Sequence, residues 1–277
     1  MIYNYFYAQR RLPQLAPFVL SSGVLHHLRR LLAGLTLPAR AYQAYRLLEF
    51  GANLALLAGL SKLLGIGEPY YAFLSLQLLY GLGSFSLVWA LGNRLLAAWG
   101  EADAATQPAL GQQLHSLALL AGLAAAGLIA AGGLADAALP PALVGLFAVY
   151  GLVQGASSLA EFALVAQGRG RLLLAWGLGY FALRAGLLLG SVALGLGLLP
   201  GLAGWAGLAL LRWGLQHRWL GARGLALRTA WQAHGRRLLP LIGTALVGGG
   251  IVYVDKLLVR SLLPNEAFQL YEHAARE

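Results

Sequence analysis

Four stretches of this chain contain no Asp, Glu, Lys or Arg: residues 69–93, 104–135, 137–160 and 185–211. The shortest is 24 residues long, and a helix crossing the hydrocarbon of a bilayer needs about 20. A soluble domain carries about 25% charged residues, whereas this chain carries 11% against 59% hydrophobic ones. That is too few charges to clothe a water-soluble core, and the chain is far too apolar for disorder. In lipid, only helices and closed barrels satisfy their own backbone. Barrel strands read as alternating segments of about ten residues, and nothing here alternates. The fold class expected is therefore all-α, a polytopic transmembrane bundle.

Eight hydrophobic segments are legible, at about 13–36, 44–65, 70–93, 114–135, 141–163, 172–198, 202–219 and 239–262. Polar stretches at 94–113 and 212–237, and turns at Asp136–Pro141, GRGR (168–171) and Pro200-Gly201, separate them. Eighteen of the twenty basic residues are Arg, and the formal net charge is +10. These arginines sit at segment ends and between spans, which points to membrane topology rather than to nucleic acid; no soluble basic face exists to grip phosphates. The 212–237 stretch holds Arg212, Arg218, Arg223, Arg228, Arg236 and Arg237. By the positive-inside rule it is cytoplasmic. The Pro200 turn is then outside, GRGR inside, Asp136–Pro141 outside and 94–113 inside. With Trp219 and Trp231, 216–237 also reads as an amphipathic element on anionic membrane lipid, or as an ordinary inside loop. The first quarter allows two arrangements. If 13–36 lies in the interface, residues 1–46 are cytoplasmic with six arginines and seven spans follow. If it spans, the N-terminus is outside or 70–93 does not cross. Composition favours the interfacial arrangement.

Function classes fall away in turn. The chain has no cysteine, hence no disulfide, thiol catalysis or Cys-ligated metal. It lacks a GxxxxGK[ST] phosphate loop and an HExxH pair, and no metal or cofactor is expected. His26 and His27 are adjacent and face different sides of a helix, which suits an interface better than a ligand pair. The two polar stretches lack a His–carboxylate pair, so the chain is not read as an enzyme.

The informative residues are the ionisable ones at membrane depth, each costing about 2.5–3.5 kcal/mol at a helix centre on insertion scales. Arg184 has twelve uncharged residues before it and a long apolar run after it. It either faces a cavity, where a guanidinium suits an anionic substrate, or pairs with Glu161 on the neighbouring helix. Arg29 and Arg30 are interfacial snorkellers or cavity cations. Lys256 and Arg260 share a helix face, and their mutual repulsion is relieved either at the interface or by an anion or carboxylate between them. Glu49 stands three residues after Arg46 and can pair with it. Asp255, Glu161 and Glu49 are the candidates for ion coupling or pairing. Gly151/Gly155 and Gly186/Gly190 permit close helix packing or a flexible, gating helix.

Two stretches carry a family resemblance. YVDKLLVRSLLPNEAFQLYEHAARE (253–277) resembles bacterial polysaccharide and O-antigen flippases of the multidrug/oligosaccharidyl-lipid/polysaccharide exporter superfamily, in which a D-[KR]-hydrophobic span precedes a turn and an acidic helix start. Here those are Asp255-Lys256, Leu262–Asn265, and Glu266 with Tyr271. LTLPARAYQAYRLLEFGANLALLAGLSKLLG (35–65) is similar to the family's L-x-P-x-x-Y-G-x-Y link, with Gln43 in place of Gly. LVAQGRGRL (164–172) resembles its polar turn after the fourth helix. The resemblance implies a two-bundle inner-membrane transporter, with 1–237 as the first bundle and 238–277 opening the second, and a longer protein of which this is the N-terminal portion. It implies a periplasmic 37–43 link, which opposes the charge-based arrangement. It further implies an undecaprenyl-diphosphate oligosaccharide as substrate, held by Arg184, Arg29, Arg30 and Lys256. Alternating access and a glycan polymerase or glycosyltransferase partner complete the expectation. A multidrug or metabolite antiporter of the same architecture and a non-catalytic membrane scaffold are the alternatives.

Overall fold

Prolines and glycines set the helix ends. A computed structural model describes residues 38–65, 67–262 and 264–274. All belong to the unit formed by residues 35–277; Arg29, Arg30 and the segment 13–36 lie outside the described residues. Nine helices follow one another among them: α1 Pro38–Leu64, α2 Glu68–Glu101, α3 Gln107–Leu134, α4 Pro141–Ala156, α5 Ala160–Ala166, α6 Gly170–Ala193, α7 Leu198–Leu220, α8 Leu227–Leu262 and α9 Asn265–Ala274. Pro69, Pro108 and Pro141 stand in the first turns of α2, α3 and α4, where a missing N–H costs nothing. Gly221 closes α7 in the left-handed region at φ 64°, and the next amide, of Ala222, returns to the His217 carbonyl at 3.1 Å, a glycine-dependent stop.

Five helical stretches are long and apolar enough to cross a membrane: Arg40–Leu64, Gln107–Leu134, Pro141–Ala166, Gly170–Ala193 and Leu198–Leu220. A sixth forms if the two halves of α2, bent by 43° between Ser84 and Leu87, count as one span. Beside the bend, Ser84 Oγ donates to the Tyr80 carbonyl at 2.8 Å, back-bonding of the kind that bends helices. Lipid-facing positions carry leucines such as Leu47, Leu178 and Leu183, each more than half exposed.

Helix directions follow from the packing pairs. Tyr45 packs on Gly177 and Leu189 on Gly59, so α1 runs parallel to α6. Leu79 packs on Gly132 while Gly83 faces Ala125, so α2 and α3 are antiparallel. A Cβ on Gly122 would fall 2.1 Å from the Leu152 carbonyl oxygen, and one on Gly155 would fall 2.6 Å from Gly122 Cα. The α3 and α4 backbones therefore touch, and Gly155 has the packing role expected of it. Gly186 and Gly190 face open space instead. Strict alternation puts Arg40, Arg94, Arg169, Arg171 and the arginines from 218 to 237 at one end of the helices. Lys62, Glu68, Asp136, Arg260 and Glu266 fall at the other. The start of α1 is thus at the basic end, as the charge-based arrangement predicts. Residues 38–43 are the first turns of α1, not a link between helices at the opposite face.

Residues 237 and 238, where the division between bundles is expected, lie within α8, which packs along α2. Two expectations change. The polar stretches 94–113 and 212–237 are mostly helix, with loops only at 102–106 and 221–226. The segment 141–163 is broken into α4 and α5 at residues 157–159. Its break is bridged from α7. The Gln216 amide accepts from the Leu159 N–H at 2.7 Å and donates to the Ala156 carbonyl at 2.8 Å. With 0% exposure, Gln216 has no water to substitute for it. Gln216→Ala orphans both backbone groups, each at about 1–3 kcal/mol. The variant is expected to melt well below the native protein in detergent, and an unchanged melting temperature refutes the bridge.

Candidate functional site

A cavity of about 500 Å³ lies among α1, α2, α4, α6 and α8, within the size range of ligand sites. Phe73, Tyr80 and Tyr150 are among its aromatic lining, and further rings pack behind them. The Trp205 ring packs against Phe73 at 5.9 Å and against Tyr150 at 5.4 Å. Tyr150 in turn meets Phe147 and Tyr80. Trp205 anchors itself by donating its indole N–H to the Arg184 carbonyl at 2.6 Å.

Arg184, on α6, lines this cavity. Its guanidinium carbon sits 4.2 Å above the Trp205 ring, a cation–π contact. One terminal nitrogen donates to Asn53 Oδ1 at 3.3 Å, and Nε is buried with no hydrogen-bond partner among the described residues. No described carboxylate lies within ion-pair distance of it. The pairing with Glu161 weighed in the sequence is not made. Glu161 belongs to Arg212.

That pair was missed by sequence reading, which counted Arg212 with the basic loop. Arg212 is 7% and Glu161 3% exposed. Arg212 Nε donates to Glu161 Oε1 at 2.9 Å, and a second guanidinium nitrogen donates to Oε2. The Trp176 indole N–H also reaches Oε1, at 3.2 Å. The fork geometry is the arrangement in which arginine outperforms lysine. Glu49 pairs with Arg46 one turn away on α1, as its spacing predicts, and both line the cavity. Lys256 contributes from α8. Asp255 is one residue before it, and its side chain lies outside the described residues.

Among the described residues, Arg260 pairs with Asp136. Its guanidinium donates to Asp136 Oδ2 at 2.9 Å, between α8 and the α3–α4 turn. Tyr71 O–H donates to the same oxygen at 2.7 Å, and the Ala138 N–H donates to the other at 3.0 Å. Burial works against ionisation of Asp136, but the hydrogen bonds from Tyr71, Ala138 and Arg260 outweigh it and hold the carboxyl below its ordinary value.

At the basic end a second contact fastens α8. Arg94 Nε donates to His234 Nδ1 at 3.2 Å, and His234 Nε2 lies 2.9 Å from Gln113 Oε1. An arginine N–H can only donate, so Nδ1 accepts, the proton is on Nε2, and Nε2 donates to Gln113. Burial, then the charges of Arg94 and Arg237, lower the His234 pKa to about 4, which agrees with a neutral ring.

Among the described residues, no grouping of His, Asp and Glu suits a metal ion. Comparison with protein-family models, curated proteins and solved structures finds no match to this chain. Function therefore rests on the cavity.

Proposed function

We propose that this chain exports or flips an undecaprenyl-diphosphate oligosaccharide across a bacterial inner membrane by alternating access, in cell-surface polysaccharide or lipopolysaccharide assembly. The observation that carries the reading is Arg184: a guanidinium on the wall of an intramembrane cavity, stacked on Trp205 and with no carboxylate partner among the described residues. An isolated cation in an apolar setting is costly, and a diphosphate headgroup supplies the missing anion. Arg46, Arg184, Lys256 and Glu49 are the charged residues among the described lining. A cation-coupled antiporter needs carboxylates free to bind its cargo or coupling ion, but Glu49 and Glu161 are engaged by Arg46 and Arg212. A scaffold has no use for such a cavity. The basic end of the helices faces the cytoplasm by the positive-inside rule, so the headgroup enters from the side on which it is assembled. The sugars occupy the polar space between helices while the prenyl tail stays in lipid. Glycosyltransferases and a glycan polymerase are the partners that would deliver and consume it.

The test is a proteoliposome assay with the native polypeptide and a fluorescent prenyl-diphosphate oligosaccharide, read by a membrane-impermeant quencher. Transfer faster than in protein-free vesicles is expected. Equal rates, with transport of a cationic dye by the same vesicles, overturn the reading in favour of an antiporter.

A further inference from the structure

We infer that the outward face of the first turns of α8 seats the headgroups of anionic phospholipids. Arg228 and Arg236 are the phosphate partners, and Trp231 and Leu239 are the apolar contacts. This goes beyond the proposed function and does not depend on what the cavity carries.

The charge around these turns has one sign. From residue 162 to residue 254 the chain contains no Asp or Glu. Arg218, Arg223, Arg228, Arg236 and Arg237 are all exposed, and none forms an ion pair among the described residues. Residues 1–37 carry Arg10, Arg11, Arg29 and Arg30 and no acid, so that segment brings more charge of the same sign rather than a counterpart. Within α8 two rows of side chains stand on opposite faces. Ala230, His234 and Leu238 are buried at four-residue spacing. Arg228, Gln232 and Arg236 keep that spacing on the exposed face. Leu239 comes next on the exposed side, with Trp231 along its edge, and each is about half exposed. The Trp231 ring lies along its own helix, 3.1 Å from where a Cβ on Gly235 would stand, so it is held against α8 rather than free. The exposed side thus passes from basic to apolar within one turn after Arg236. Thirty-six residues of α8 extend about 54 Å at 1.5 Å per residue, well beyond the roughly 30 Å of bilayer hydrocarbon. The basic turns therefore stand at headgroup depth and the apolar ones follow into the acyl region.

The chemistry divides along that row. A guanidinium fork matches a pair of phosphodiester oxygens, and Arg228 and Arg236 stand about 12 Å apart along the helix. Trp231 and Leu239 suit the boundary between headgroups and acyl chains, where an indole is at home. A soluble polyanion would satisfy the arginines but leave these apolar side chains in water. A zwitterionic lipid would cover the apolar side chains but bring no net charge to the arginines. A phospholipid with a net negative headgroup answers both. Arg237 acts on His234 and Arg94 and is left out of the row.

The experiment uses the native polypeptide in a neutral detergent, with fluorescent phosphatidylglycerol and phosphatidylcholine as probes. The native protein is expected to bind phosphatidylglycerol the more tightly. Arg228→Gln combined with Arg236→Gln is expected to weaken phosphatidylglycerol about 25-fold, about fivefold for each arginine, and to leave phosphatidylcholine unchanged. Arg228→Lys with Arg236→Lys should stay close to native, because the charge remains. Both arginines are exposed, so the melting temperature of the unliganded protein should not move. Should the glutamine pair fail to fold, salt decides on the native protein: raising it from about 0.05 to about 0.5 M should weaken phosphatidylglycerol at least about tenfold and spare phosphatidylcholine. The assignment falls if the native protein binds the two lipids equally, or if phosphatidylglycerol binding is indifferent to salt. It falls also if the folded glutamine pair binds phosphatidylglycerol as the native protein does. If Arg169→Gln with Arg171→Gln weakens phosphatidylglycerol as much, the preference belongs to the whole basic end and the seat on α8 is refuted. A poly-glutamate peptide that displaces phosphatidylglycerol and binds more tightly assigns the surface to an acidic protein and overturns the lipid.

Discussion

Arg212→Ala is expected to be the most destabilising single substitution among the described charged residues. It leaves Glu161 3% exposed, without its cation and bonded among the described residues only to the Trp176 indole. Breaking a buried pair by removing one partner costs about 3–5 kcal/mol, equivalent to a fall of about 10 °C in melting temperature for a chain of this size. The second half of the prediction concerns the pair removed together. Arg212→Met combined with Glu161→Leu deletes both charges and keeps apolar volume, so most of the lost stability should return. Thermal melts of the three proteins in one detergent decide it. A single variant that melts within about 2 °C of native, or a double variant no better than the single one, shows that Glu161 and Arg212 do not depend on each other.

The second large effect is on ligand binding. Arg184→Ala should reduce the affinity for a prenyl diphosphate by at least about 100-fold, because it removes both the cavity's stacked cation and a donor to the headgroup. Arg184→Lys should recover little of this. An ammonium group stacks less well on Trp205, cannot donate to Asn53 and to a phosphate in one plane, and is more strongly hydrated. Stability should move in the opposite sense from that of the Arg212 variant. Arg184 has no carboxylate to strand, so its removal should leave the melting temperature near native or raise it. Equal affinities in the native protein and Arg184→Ala, measured by isothermal titration, exclude this arginine from the site.

The two arginines illustrate how much of the protein is legible in its sequence. The charge-free runs 104–135 and 137–160 fall on α3 and on the stretch Pro141–Ala166, but 185–211 straddles α6, α7 and the turn between them, and α1 has no such run. The alternation of basic and non-basic turns orders the helix directions, and α1, parallel to α6, follows the charge-based arrangement down to its first turn. Which arginine meets Glu161 depends on the rotation of α6 and α7 about their own axes. Each residue advances that rotation by about 100°, and only packing against distant neighbours fixes it. Arg212 lies inside the segment 202–219, but it is also the first of the six arginines of 212–237 and reads with that basic stretch, although α7 continues to Leu220. The break between α4 and α5 contains no proline, and the glutamine that bridges it is more than fifty residues away. Tyr150 gives no sequence signal at all. An aromatic residue in an apolar run is ordinarily core, and only packing shows that its buried hydroxyl has no partner among the described residues.

The two fastenings of α8 have a consequence for how force travels through the protein. His234 holds the helix near one end and Arg260 near the other. Twenty-six residues of helix separate them, about 39 Å at 1.5 Å per residue. That is several Debye lengths at physiological ionic strength, and the two contacts share no side chain, so their free energies add independently. Releasing one neither loosens nor tightens the other electrostatically. Any message between them must pass along α8 itself, and α8 is a compliant rod: Pro240 deletes a backbone hydrogen bond just above the first fastening, and Gly248, Gly249 and Gly250 follow near its middle. The helix can therefore come away at one end while staying clamped at the other.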